Sequence, residues 1–146
     1  MRVDFYQLSR DPVEAVLPAI ARNTLNADER LLVVSGDPDH LERIGVGLWN
    51  RFPESFLAHG KVGGAHDAMQ PILLSHELSP GNGARYCALA DGVWREAEAP
   101  FARMFLLFDD ARLQQARECW RMLATRDGAE RHFWKQDAKG RWAEAG

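Results

Sequence analysis

Short apolar runs and amphipathic segments alternate along the first half of the chain. Residues 2–8 alternate apolar and polar positions, and residues 31–36 begin with a continuous apolar run, so each segment is predicted to form a strand. Each predicted strand precedes an Asp-Pro pair, at Asp11 and Asp37, and then apolar residues at helical spacing. Aspartate can cap a helix that begins with proline, so two helices are expected, with Pro18 kinking or interrupting the first. This order predicts a mostly parallel α/β sheet in which the two strands are adjacent and helices cover both faces.

The second half predicts further strands and then one long helix. Residues 71–78 and 84–90 each contain an apolar run, and the glycine-rich turn between them allows a hairpin, so the sheet can be mixed. Residues 91–101 predict a brief helical turn, which leads into an apolar strand at residues 101–108. The tail predicts one more extended piece, at residues 132–135.

The last predicted helix carries the side chains that are the best candidates for a functional site. Asp109 or Asp110 can cap it, and Gly128 is its natural end. At roughly 100° per residue, one side of this helix is apolar. In order around the helix, that side consists of Cys119, Leu123, Ala116, Trp120, Leu113 and Ala124.

Two arginines lie just beyond the edge of this apolar side. Arg117 and Arg121 are one turn apart, and like charges at that spacing repel each other by a few tenths of a kcal/mol. An anion between them would relieve the repulsion, and the indole of Trp120 adds apolar surface, so the helix can receive a ligand that is both negative and hydrophobic. A structural explanation also stays open, because arginines near a helix C-terminus complement its dipole and a tryptophan on an apolar side usually packs in the core.

Composition places the chain among globular proteins that do not attract nucleic acid. A length of 146 residues and a hydrophobic share of 46% predict one domain, residues 1–146, with a sizeable core. The chain has 18 Lys and Arg against 21 Asp and Glu, a net charge of −3, so direct DNA binding is not expected. The N-terminus has no signal-peptide pattern and no apolar run approaches the ~20 residues of a membrane span, so we expect a soluble cytoplasmic protein with no membrane partner.

Motifs for nucleotide, metal or covalent chemistry are missing from the sequence. The loop after the first strand, SRDPVE, has no glycine that would admit a pyrophosphate, and neither the dinucleotide nor the P-loop signature occurs. The histidines are scattered, without helical pairs or a neighbouring cysteine, so no metal site is predicted. Cys87 and Cys119 are each expected to be buried reduced thiols. The residues therefore predict neither a cofactor nor catalysis.

Four segments, taken together, resemble the chi subunit of bacterial DNA polymerase III. They are VDFYQL, GLWNRFPESFLAHG, PILLS and ARECWRML, and their order and spacing match the family along nearly the whole chain. The most specific is the run at residues 48–59, which reads LW-x-R-x-x-ESF-L-x-H. The resemblance implies a single-domain, Rossmann-like α/β fold that holds neither a nucleotide nor a catalytic site.

The resemblance also implies an adaptor between two parts of the replication machinery. Proteins of this family bind the psi subunit on one side, which tethers them to the clamp loader. On another side they bind the C-terminal tail of the single-stranded DNA-binding protein, which ends in acidic residues, Pro-Phe and a free carboxylate. A nucleotide-dependent enzyme on a Rossmann-like scaffold is the alternative function, and direct binding to single-stranded DNA is disfavoured by the acidic balance.

The tail site of the family carries over onto the last helix and the end of the second. By resemblance, Arg117 pairs with the terminal carboxylate, Trp120 takes a position that is more often tyrosine, and Arg121 fills a basic position. Trp49 and Pro53 would supply the apolar wall for the phenylalanine of the tail. These five residues are therefore expected to converge in one surface pocket.

Arg112 is a sixth candidate for the same site. The family's basic residue one turn before Arg117 corresponds here to Leu113, and Arg112 is its neighbour. Arg112 lies roughly 140° around the helix from Arg117, so the geometry predicts a peripheral position for it.

Overall fold

A mixed eight-stranded β-sheet forms the centre of the protein, of which the computed structural model describes residues 1–97 and 101–145. Its strands are β1 (Arg2–Gln7), β2 (Leu31–Val34), β3 (His59–Lys61), β4 (Ile72–Ser75), β5 (Tyr86–Leu89), β6 (Arg103–Phe108), β7 (Glu130–Gln136) and β8 (Trp142–Glu144). The α-helices are α1 (Val13–Asn26), α2 (Pro38–Asn50) and α3 (Leu113–Ala124), and short 3₁₀ turns occupy Pro53–Ser55, Asp67–Met69 and Asp110–Arg112. The strand order is β3-β4-β2-β5-β6-β1-β7-β8; β1 to β7 run parallel, and β8 is antiparallel to β7.

The helices cover both faces of the sheet, as the sequence predicts. Along β2, Leu31 and Val33 join the hydrophobic core beneath α1 and α2, whereas Leu32 and Val34 join the core beneath α3. This division follows from strand geometry, in which successive side chains point to opposite faces. We call the two sides of the sheet the α1–α2 face and the α3 face. The predicted fold class, a Rossmann-like α/β fold with a mostly parallel sheet, is confirmed.

The strand order differs from the predicted one. The sequence predicts that β1 and β2 are adjacent, but β5 and β6 lie between them. β1 instead pairs with β6 and β7, which places Phe5 opposite Leu106 and Phe133. The hairpin that the turn between residues 71–78 and 84–90 allows does not form, since β4 and β5 run parallel on either side of β2. Local apolar patterns report which segments are buried strands, whereas pairing is decided by packing across the whole sheet.

The starts of the first two helices use their aspartates differently. α2 starts as predicted, because Asp37 accepts a hydrogen bond from the backbone N–H of Asp39. No side chain caps α1, because the Asp11 carboxylate instead accepts a hydrogen bond from the side-chain amide of Gln136 on β7. The aspartate that the sequence assigns to a helix cap thus ties the start of α1 to the last long strand.

α1 continues through Pro18 without interruption. Proline has no N–H, so the carbonyl oxygen of Glu14, one turn earlier, receives no helical hydrogen bond from it. α2 approaches α1 at that carbonyl through Gly47, where an added β-carbon would lie 2.4 Å from the Glu14 oxygen. The glycine therefore permits the close approach of the two helices.

The last helix begins with a 3₁₀ turn. Asp109 caps that turn by accepting a hydrogen bond from the backbone N–H of Ala111, as predicted. α3 ends four residues before Gly128, which has a positive φ of 78° and turns the chain toward β7. Residues 91–97 contain no helix, contrary to the predicted helical turn, and residues 98–100 of that prediction lie outside the described residues.

A buried carboxylate ties three strands together on the α1–α2 face. Asp4 on β1 is fully buried and accepts hydrogen bonds from Arg2 and, at 2.7 Å, from Arg103 on β6. The indole N–H of Trp134 on β7 donates a further bond to Asp4 at 3.0 Å. Burial by itself would raise the pKa of Asp4, but these hydrogen bonds outweigh burial and lower the pKa below its ordinary value. We call Arg2, Asp4, Arg103 and Trp134 the Asp4 cluster.

Candidate functional site

α3 presents one tryptophan and two arginines above the sheet. Its buried inner side consists of Ala116, Cys119 and Leu123. Trp120 is half-buried and packs at the margin of the core on the α3 face, while Arg117 and Arg121 are exposed. The indole and the two guanidinium groups therefore share the outer margin of one helix, as its periodicity predicts.

Aromatic rings from the strands below hold the indole of Trp120. Its ring centroid lies 5.3 Å from that of Phe5 on β1 and 5.6 Å from that of Phe133 on β7, edge-on to both. Phe133 also stacks on Phe5 at 5.9 Å and meets Phe108 of β6 edge-on at 5.7 Å. Each such pair contributes about 0.5–1.5 kcal/mol beyond the burial of apolar area, so the indole has a well-fixed orientation.

A third arginine, from β7, lies over this indole. The guanidinium carbon of Arg131 is 4.1 Å from the ring centroid of Trp120, and its Nη1 donates a hydrogen bond to the Trp120 carbonyl oxygen at 2.9 Å. Because side chains alternate along a strand, Arg131, Phe133 and Lys135 point toward the α3 face. We define the α3–β7 surface by Arg117, Trp120, Arg121, Arg131, Phe133 and Lys135.

The cations of the α3–β7 surface are not neutralised by the described part of the chain. Within residues 1–97 and 101–145, no ion pair involves the three arginines or the lysine of this surface. Arg126, beyond the end of the same helix, pairs with Glu96 at 2.8 Å. Uncompensated positive charge beside a half-exposed indole attracts a ligand that is anionic and apolar at once.

Trp49 and Pro53 lie far from this surface, so the structure does not bring the predicted pocket together. Trp49 is near the end of α2, with its ring centroid 5.2 Å from that of His59 on β3, and Pro53 begins the 3₁₀ turn that follows. Five strands separate β3 from β7, which is roughly 29 Å at about 4.8 Å per strand, and α2 and α3 lie on opposite faces. Helical spacing predicts which residues share one side of a helix, but not which sides of two helices meet.

Large apolar side chains are exposed at the β3 end of the sheet. The exposed large hydrophobic residues of the described chain are Val46, Trp49, Phe56, Val62 and Met69. All come from the segment that contains edge strand β3 and its flanks, and we call them the β3-edge surface. Phe56 is 78% exposed and has a φ of 46°, in the left-handed region that residues other than glycine seldom adopt. An exposed aromatic ring on an unfavourable backbone is typical of a binding surface.

Arg112 lies in neither of these two surfaces but in the crevice at the carboxyl ends of the parallel strands. This crevice has a volume of 910 Å³ and is lined by three arginines and five Asp or Glu residues. The side chain of Arg112 packs beside Gly92, where an added β-carbon would lie 3.2 Å from the Arg112 Cγ. Nucleotides bind at this place in Rossmann folds, but here carboxylates outnumber arginines, which disfavours a polyphosphate. Arg112 therefore does not contribute to the α3–β7 surface.

The described residues give no support for a metal site or for a reactive cysteine. Within residues 1–97 and 101–145, no group of three or more His, Cys, Asp or Glu side chains is placed to hold a metal ion. Cys87 and Cys119 are buried free cysteines, as expected, and burial raises the pKa of each thiol to about 12. None of the described helices is both long and apolar enough to cross a membrane.

Sequence reasoning does not identify Arg131, Phe133 or Phe56. The alternation within residues 130–136 places Arg131 and Phe133 on one side of a strand, but only the position of that strand beside β1 connects them with Trp120. Phe56 stands inside the most specific run of the resemblance, yet its exposure depends on a turn that no apolar pattern predicts.

Comparison with known protein families covers most of the chain. A family model described as "DNA polymerase III chi subunit, HolC" matches residues 1–130. The match includes all three α-helices and ends at the first residue of β7, so Arg131 lies just beyond it. No curated protein sequence matches the chain significantly. With 130 of its 146 residues matched, the chain belongs to the family of DNA polymerase III chi subunits, accessory subunits of the replicative polymerase.

Proposed function

We propose that this chain is a non-catalytic adaptor that joins the psi subunit of the clamp loader to the C-terminal tail of the single-stranded DNA-binding protein. The α3–β7 surface is the observation that carries the proposal, because its cations have no ion-pair partner in the described chain and one of them, Arg131, lies over a half-buried indole. A tail that ends in acidic residues, Pro-Phe and a free carboxylate offers negative charge for these cations and an aromatic ring to pack against the indole. The adaptor acts in the cytoplasm and needs no cofactor of its own.

Arg117 is the residue that holds the terminal carboxylate of the tail. A guanidinium can donate two parallel charge-assisted hydrogen bonds to a carboxylate, which fixes where the bound chain ends. The phenylalanine of the tail packs against Trp120 and Phe133, and its burial contributes roughly 1.5–3 kcal/mol. Arg121 adds a salt-dependent attraction for the acidic residues. Ordering a flexible tail opposes these gains, so we expect micromolar affinity, about −8 kcal/mol.

The β3-edge surface is the proposed contact for the psi subunit. It lies on the other face of the sheet and at the other end from the tail surface, so a tail bound to Arg117 leaves it uncovered. Its exposed side chains are apolar, which suits a stable contact between subunits better than the capture of an acidic tail. Trp49 and Pro53 therefore move from the tail site to the psi side of the adaptor.

Calorimetric titration of an acidic Pro-Phe peptide tests the assignment of Arg117. Arg117→Ala should weaken binding by about 2–3 kcal/mol, because a charge-assisted bond is lost while the exposed position leaves the fold intact. Amidating the peptide's C-terminus should imitate this loss in the wild type and have almost no effect on Arg117→Ala. If amidation weakens the variant as much as the wild type, Arg117 does not bind the carboxylate.

A reciprocal pair of variants tests the separation of the two surfaces. Phe56→Ser should leave the affinity for the tail peptide unchanged and reduce co-purification with the psi subunit. Arg117→Ala should do the reverse, with psi binding retained and tail binding lost. A loss of tail affinity in Phe56→Ser would contradict the two-surface adaptor, because that residue lies on the far side of the sheet from Trp120.

A further inference from the structure

Arg131 makes an unusual pair of contacts for a strand residue at a surface. Its guanidinium lies 4.1 Å from the ring centroid of Trp120 and is also bonded, through Nη1, to the backbone oxygen of the same residue at 2.9 Å. Within residues 1–97 and 101–145, this is the one hydrogen bond that the side chain donates, and no carboxylate pairs with it. A guanidinium has five N–H donors in a planar fork, so most of them are uncommitted in the described chain.

We propose that Arg131 is a specificity-determining residue of the tail site, which selects peptides with acidic residues before the terminal phenylalanine. The inference rests on the proposed function of the α3–β7 surface, and it assigns recognition of the acidic residues of the tail to Arg131. In this arrangement Arg117 binds the terminal carboxylate of the peptide, and Arg131 binds the acidic side chains that precede the terminal phenylalanine.

The geometry favours a fixed cation over a mobile one. Stacking on the indole and the bond to the Trp120 oxygen hold the guanidinium in one place, whereas Arg121 and Lys135 are exposed and free of ion pairs in the described chain. A cation that is already ordered loses less side-chain entropy when it binds a carboxylate. Arg131 should therefore discriminate between acidic and neutral tails more strongly than its exposed neighbours.

The same contacts affect the apolar half of the site. Because Arg131 covers one face of the indole, and Phe5 and Phe133 meet it edge-on, a peptide ring is directed to the remaining exposed part of Trp120 and Phe133. The acidic residues and the phenylalanine of the tail are therefore bound by adjacent groups, which fixes their spacing.

Two peptides and four proteins test this inference by calorimetry at several salt concentrations. The peptides are Asp-Asp-Asp-Pro-Phe and Asn-Asn-Asn-Pro-Phe, each with a free C-terminus. The proteins are the wild type, Arg131→Met, which keeps an unbranched side chain without the charge, Arg131→Lys, which keeps the charge, and Arg141→Met. Arg141 is exposed in the β7–β8 turn, beyond the end of β7 and roughly 20 Å along the strand from Arg131, so its variant removes the same charge at a distance from Arg131 and serves as the matched control.

We expect Arg131→Met to bind the aspartate peptide about fivefold more weakly than the wild type and the asparagine peptide equally well. Its affinity should also depend less on salt, and Arg131→Lys should retain most of the preference for aspartate. Arg141→Met should behave as the wild type.

Three results would overturn the inference. Equal weakening of both peptides by Arg131→Met would show that Arg131 only supports Trp120, and no weakening would show that it is not used. If Arg131→Met does not fold, Arg131→Lys decides, because loss of the aspartate preference in that variant contradicts a readout of charge. Failure of the wild type to bind either peptide would instead remove the proposed tail site itself, a result distinct from these.

Discussion

Two groups of arginine and tryptophan side chains lie on opposite faces of the same part of the sheet. On the α1–α2 face, the Asp4 cluster brings Arg2, Arg103 and Trp134 around one buried carboxylate. On the α3 face, Arg131 lies over Trp120, and Arg117 and Arg121 stand beside it on α3. No ion pair within the described residues involves these three arginines. The residue types are nearly the same. The difference is that the chain itself supplies the anion of the first group, whereas a ligand would have to supply that of the second.

That difference separates a structural group from the proposed binding site. In the Asp4 cluster the chain supplies a buried carboxylate that both arginines share, and the shared ion pairs join β1, β6 and β7, so the group stabilises the sheet. At the α3–β7 surface the described part of the chain leaves positive charge unbalanced beside packed aromatic rings. A neighbouring arginine and tryptophan therefore do not by themselves indicate a binding site. They do so only when no carboxylate of the described chain pairs with the arginine.

Removal of the internal carboxylate should have the largest effect. Asp4→Ala leaves two arginines facing each other and an indole N–H without its acceptor, so the free energy of unfolding should fall by about 3 kcal/mol. Urea unfolding followed by circular dichroism measures it. Arg121→Ala is the matched control, because that exposed arginine has no partner in the described chain and its loss should change stability by less than about 0.5 kcal/mol. Similar losses in both variants would remove the distinction between the two groups.

Acid should weaken the Asp4 cluster in a predictable direction. Because the pKa of Asp4 is lowered in the folded protein, its stabilisation is complete above the unfolded value of about 3.9 and is lost as the pH falls through the folded pKa. Urea unfolding of the wild type should therefore lose stability more steeply below about pH 4 than unfolding of Asp4→Asn. The pKa of Asp91 is also lowered, since its bonds to Arg95 and backbone N–H groups outweigh burial, but that residue contributes equally to both proteins. Parallel pH profiles would mean that Asp4 does not act as a paired carboxylate.

The smallest effect should come from giving the α3–β7 surface an anion of its own. Gln114→Glu places a carboxylate one turn before Arg117 on the exposed side of α3, and partial neutralisation should weaken tail binding by under about 1 kcal/mol. Gln115→Glu adds the same charge but not at a helical spacing that reaches Arg117, so its effect should be smaller. Calorimetry with the tail peptide compares the two variants. Equal effects would indicate that only net charge matters at this surface.

The sequence predicts the fold class and the last helix well, because both depend on local periodicity. The inner side of α3, with Cys119 and Leu123 buried and Arg117 exposed, follows directly from its spacing. Strand order is different, since β5 and β6 come between β1 and β2 for reasons of packing that no single segment contains.

The candidate site shows the same division between local and long-range information. Arg117, Trp120 and Arg121 lie together because one helix positions them, whereas the expected union with Trp49 required two helices to share a face. Arg131 could not be predicted from the sequence, because its contact with Trp120 depends on the position of β7 in the sheet.

The width of the sheet gives the proposed adaptor a further property. Partners held on opposite faces and roughly 29 Å apart along the sheet do not obstruct each other, so one can dissociate while the other stays bound. For a tail that is tethered nearby through a short flexible linker, the effective concentration at the α3–β7 surface is about millimolar, far above a micromolar dissociation constant. In the proposed adaptor, a contact that is weak and quickly broken in free solution would then stay occupied for most of the time, and one tail could replace another while the psi subunit stays bound.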